Sequence, residues 1–64
     1  MDIKYLVNGR TLTAYIIADS LPTSGDLLKM VDRELAGTGW KRYAKRTVTP
    51  KRDGWIIDYP ITEG

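Results

Sequence analysis

Asp2-Ile3-Lys4-Tyr5-Leu6-Val7-Asn8-Gly9-Arg10-Thr11-Leu12-Thr13-Ala14-Tyr15-Ile16-Ile17 decides the fold. Apolar and polar residues alternate on both sides of Asn8-Gly9. Asn-Gly is the strongest short hairpin signal, because both central positions of a type I′ turn need positive φ. A two-residue loop at Asn8-Gly9 pairs Val7 with Arg10, Tyr5 with Leu12 and Ile3 with Ala14. One face then carries Ile3, Tyr5, Val7, Leu12, Ala14 and Ile16, and alternation makes it the core face. The other carries Lys4, Leu6, Thr11, Thr13, Tyr15 and Ile17. Its Tyr15 and Ile17 are either scattered exposed apolar groups or members of a partner-binding patch.

After this hairpin the chain turns. Pro22 cannot continue a central strand, since it lacks an N–H. Thr23-Ser24-Gly25-Asp26 opens a helix: Thr23 or Ser24 accepts from the orphan N–H groups, and Asp26 complements the dipole of the first turn. The helix runs from about Gly25 to Ala36, with Leu27, Leu28, Val31 and Leu35 on one face, flanked by Met30. Lys29, Asp32 and Arg33 point away, and Gly37 suits the C-terminal cap.

A second hairpin follows. Trp40 to Thr49 and Trp55 to Ile61 are strand-like, with Pro50 to Gly54 as the loop. A four-residue turn over Lys51 to Gly54 pairs Val48 with Ile57, Arg46 with Tyr59 and Ala44 with Ile61. That register sets Arg42 and Arg46 on the same face as Trp40, Ala44, Val48, Trp55, Ile57, Tyr59 and Ile61. An unpaired buried guanidinium is costly. The conflict is relieved if the arginines lie beyond the helix or snorkel, or if a bulge shifts the register. The order hairpin, helix, hairpin predicts an α+β domain, ββαββ, with a mostly antiparallel four-stranded sheet and one helix on one face.

Composition restricts the chemistry. The 64 residues form one domain, spanning 1–64. A chain of this length buries only about 60% of the surface its unfolded form exposes. It has neither cysteine nor histidine, which excludes disulfides, zinc sites built on either residue, thiol nucleophiles and imidazole-based triads. No cofactor and no metal are expected. Asp32 and Glu34 are two apart on a helix and do not face each other. Gly37-Thr38-Gly39 follows the helix, whereas a phosphate cradle needs its glycines before one. An enzyme is therefore not expected. No apolar run approaches the ~18 residues of a membrane span. The Met-Asp-Ile-Lys opening lacks a secretory layout, so the expected location is cytoplasmic.

Charge supplies the functional hint. Residues 1–39 carry four basic and five acidic groups, and residues 40–64 carry six basic and three acidic. The second set holds Lys41, Arg42, Lys45, Arg46, Lys51 and Arg52, interleaved with Trp40, Tyr43, Trp55 and Tyr59. Positive charge beside planar rings attracts a phosphate backbone and gives bases a surface to stack on. Lys41, Arg42, Tyr43, Lys45, Arg46, Lys51 and Arg52 are the candidate binding residues, with nucleic acid, DNA or RNA, as the leading partner. Trp40, Trp55 and Tyr59 also suit a small core. The competing expectation is a small inhibitor or adaptor docking this hairpin on an acidic protein surface. In size and manner, though by no motif, the chain is similar to small proteins of phages and other mobile elements. An exposed edge strand would also let two copies pair.

Overall fold

The chain opens with two strands, β1 (Asp2–Asn8) and β2 (Thr11–Ile17), followed by one helix, α1 (Ser24–Leu35). Three strands complete it: β3 (Trp40–Arg42), β4 (Thr47–Pro50) and β5 (Gly54–Glu63). The structure, a computed structural model, describes residues 1–64. The fold is α+β with an antiparallel five-stranded sheet, ordered β1-β2-β5-β3, in which β4 also pairs with β5. The sheet gains its fifth strand because Trp40 to Thr49, expected as one strand, is cut into β3 and β4 on the same side of β5. No helix is long and apolar enough to cross a membrane.

The first hairpin forms with its turn one residue later than the Asn-Gly signal implies. Asn8 pairs with Thr11, Val7 with Leu12, Tyr5 with Ala14 and Ile3 with Ile16. Gly9 and Arg10 therefore occupy the loop, and only Gly9 has positive φ, at 62°. A glycine at the first central position is the requirement of a type II′ turn rather than I′. Each strand shifts by one residue in a compensating direction, so both faces keep the expected members. Ile3 and Tyr5 are half-buried and Leu12, Ala14 and Ile16 buried, as the alternation demands.

Thr23 caps α1, its hydroxyl accepting from the Asp26 N–H at 3.2 Å. Leu27, Val31 and Leu35 recur every fourth residue and are buried against the sheet, while Leu28 and Met30 are only half-buried. Gly37 adopts φ 80° just past the helix, and Thr38 joins the two elements. The Thr38 hydroxyl donates to the Leu35 carbonyl at 2.6 Å and accepts from the Trp40 N–H at 3.1 Å. The remaining core is Leu12, Ala14 and Ile16 of β2 with Ile57, Tyr59 and Ile61 of β5. Trp40 and Trp55 pack at its margin.

Pro60 explains the cut between β3 and β4. The Ile61 N–H reaches the Arg10 carbonyl on the β2 side. Alternation then points the nitrogen of residue 60 at the other neighbour, where proline has no hydrogen to donate. Tyr43 still donates to the Pro60 carbonyl at 2.9 Å but receives no backbone bond in return. The chain leaves the ladder there. It rejoins at Thr47, opposite Asp58. Val48 pairs with Ile57 as the hairpin reading requires, but Arg42, not Ala44, stands opposite Ile61. The register slips by two residues across Tyr43 to Arg46, as a bulge does.

Candidate functional site

The basic residues lie along one edge of the sheet. Lys41 and Arg42 are in β3, Tyr43, Lys45 and Arg46 in the extruded segment, and Lys51 and Arg52 at the tip between β4 and β5. Lys41 stands opposite Thr62, and Lys51 exchanges backbone bonds with Gly54 at 2.7 and 3.5 Å. Eight residues of β5 separate these points, about 26 Å at ~3.3 Å per residue. Strand alternation sets Lys41 and Tyr43 on the helix-free face and Arg42 on the helix face. The charges thus straddle the edge instead of carpeting one face. This edge is not a free ribbon, because β5 is also bonded to β2 along most of its length.

One of the six cations is neutralised internally. The Arg42 Nη2 donates to Asp32 Oδ2 at 3.0 Å, and its Nε lies 2.8 Å from Oδ1. The Nε–H does not aim at that oxygen, so the second contact is charge attraction more than a hydrogen bond. The Arg42 side chain keeps only 20% of its exposure. This settles the conflict over a guanidinium on the core face: Asp32, exposed on the helix surface, supplies the counter-charge and ties α1 to β3. The pair is the only salt bridge in the molecule. Lys41, Lys45, Arg46, Lys51 and Arg52 are exposed without a carboxylate partner.

The rings divide differently. Tyr43 is 52% exposed and is the one aromatic side chain on the basic edge open to a ligand. Trp40 and Trp55 pack against the core, and Tyr59 is fully buried. The Tyr59 hydroxyl has no hydrogen-bond partner. Burial raises its pKa, and the Arg46 and Arg42 guanidiniums pull it partly back. Tyr5 is raised by burial and by the Glu34 carboxylate, against the influence of Arg33.

Two open clefts flank the edge. One, of about 510 Å³, lies between the end of α1 and β3, beside Asp32, Leu35, Trp40, Lys41 and Arg42. The other, of about 950 Å³, lies at the far end of the sheet, where Lys51 and Arg52 meet Asp2, Asp19 and Asp53. No cluster of acidic side chains is arranged to hold a metal ion. The sequence reading missed two determinants of this site. Asp32 gave no local signal, since its partner is ten residues away in another element. Pro60 did give one: a proline inside an otherwise central strand announces a gap in its neighbour. No protein-family model, curated protein or solved structure matches this chain.

Proposed function

We propose that this chain is a non-enzymatic nucleic-acid-binding module that lays its basic sheet edge along a phosphate backbone. The observation that carries the reading is the set of five cations, Lys41, Lys45, Arg46, Lys51 and Arg52, strung on one edge with none of them held in a salt bridge within the chain. A span of about 26 Å matches roughly eight base-pair steps at ~3.4 Å each. Phosphate contacts of this kind give affinity without sequence preference. Tyr43 is available to stack on one exposed base.

An acidic protein surface is the second reading. The shortage of open rings favours it, because Trp40, Trp55 and Tyr59 are committed to packing. Binding to labelled single- and double-stranded oligonucleotides over a salt series separates the two. Five released counterions give a slope of log affinity against log salt near about −4.5 for duplex and −3.5 for single strands. Replacing Lys51 and Arg52 by alanine should make that slope shallower by about 2. Absence of retardation of any DNA or RNA at low salt defeats the nucleic-acid reading.

A further inference from the structure

The two edges of the sheet are built unequally. The basic edge is interrupted: β3 has three residues, β4 has four, and the segment 43–46 bulges out between them. Of the β4 residues whose N–H positions face outward, Pro50 has no hydrogen to offer. Short strands, bulges, proline and charge are the devices that keep an edge from pairing. The β1 edge has none of these interruptions. It runs seven residues without a bulge or proline, and its only charged members are Asp2 and Lys4.

Its bonding groups can be assigned. The two-residue loop makes Asn8 and Thr11 a mutually bonded pair, so Asn8, Leu6, Lys4 and Asp2 face β2. Ile3, Tyr5 and Val7 then turn their N–H and C=O groups outward along the unpaired edge. The same strand exposes apolar side chains on both faces, with Leu6 51% and Val7 47% exposed.

We infer that β1 pairs antiparallel with β1 of a second copy, about a two-fold axis at Tyr5. Among symmetric registers this one uses all seven residues. Centring on Lys4 would set two ammonium groups opposite each other, and centring on Ile3 or Leu6 shortens the overlap. Centring on Tyr5 sets Ile3 opposite Val7 and lays Leu6 against the Lys4 stem, each twice by symmetry. Six backbone bonds form, from Ile3, Tyr5 and Val7 of each copy. The Asp2 carboxylate comes beside the turn that carries Arg10 of the other copy. Neither group has an ion-pair partner within its own chain. The product is a ten-stranded sheet whose basic edges lie at its two ends. A strand about 23 Å long buries well under the ~1,600 Å² of a standard interface, so the dimer belongs to the weak, concentration-dependent class.

The test needs no nucleic acid, so its result is independent of the proposed function. Sedimentation equilibrium of the full chain, from micromolar to millimolar, should show an average mass rising from 7.2 kDa toward twice that. Val7→Lys and Val7→Pro should each weaken association by at least about tenfold with the fold intact by circular dichroism. The proline removes only an outward N–H. Thr49→Lys, on the opposite edge, should leave association unchanged. Amide exchange on the unmodified chain should show Ile3, Tyr5 and Val7 gaining protection on concentration, and it decides the matter if the Val7 variants do not fold. A constant 7.2 kDa mass, a dimer that survives Val7→Lys, or protection gained instead at Arg42 and Val48 overturns the inference.

Discussion

Replacing Tyr59 by phenylalanine is expected to stabilise this protein. Tyr59 is fully buried between β2 and the gap in the edge strand, and its hydroxyl finds no partner. A hydroxyl removed from water without compensation costs about 1–3 kcal/mol. Deleting the oxygen leaves a void on the order of 10 Å³, worth about 0.2 kcal/mol at ~24 cal/mol per Å³. The ring itself, which packs the core, is retained. The net gain is therefore about 1 kcal/mol or somewhat more, which raises the melting temperature by about 4–8 °C in a domain of this size. Urea and thermal unfolding followed by circular dichroism measure it. The effect should also depend on pH. A phenol raised above its ordinary pKa of about 10 favours the fold more when protonated than when ionised. That contribution is complete below about pH 10 and is lost as pH rises through the folded value. Tyr59→Phe should accordingly unfold at a higher alkaline pH than the parent. A variant less stable than the parent at neutral pH would mean that the hydroxyl is bonded, and the packing argument for this corner would fail.

Gly54→Ala should be severely destabilising, by about 3 kcal/mol or more, because its Cβ would stand 1.7 Å from the backbone oxygen of Ile16. A melt within about 1 kcal/mol of the parent contradicts that close approach. The Arg42–Asp32 pair should give a coupling of roughly 0.5–1 kcal/mol in a double-mutant cycle with alanine, shrinking as salt is added, since Asp32 remains exposed. Thr23→Ala should cost about 1 kcal/mol through the lost cap to Asp26, detectable as a lower urea midpoint. Tyr5→Phe should, like the Tyr59 variant, reduce the loss of stability above about pH 10, since burial and Glu34 both raise that phenol.

Local signals made most of the fold legible. The Thr23 cap, the apolar stripe of α1 and the alternation in the first hairpin each act within a few residues, and each appears as the sequence implies. The turn at Gly9 is shifted because a glycine suits either the second central position of a type I′ turn or the first of a type II′ turn, and Gly9 takes the latter with Arg10 beside it. The β2–β5 pairing joins residues 37 to 49 apart, and no local propensity encodes it. The basic composition of the edge was equally plain. Which cation is neutralised was not, because the Asp32–Arg42 contact exists only after α1 lies on the sheet.

Pro60 links the fold to the candidate site. A central strand normally tolerates no proline, because every N–H along it has a partner. Here the missing hydrogen falls on the side facing Tyr43, so the edge strand parts from β5 at that point. The departure has two physical results. It ends β3 and β4 as short pieces that cannot template another strand, which protects this edge. It also lifts Lys45 and Arg46 out of the ladder just after Tyr43, and all three side chains are exposed although they sit beside the best-packed strand. The same interruption that forbids strand addition at this edge presents its cations to solvent. The basic edge thus offers side-chain charge, whereas the β1 edge offers unpaired backbone flanked by exposed Leu6 and Val7.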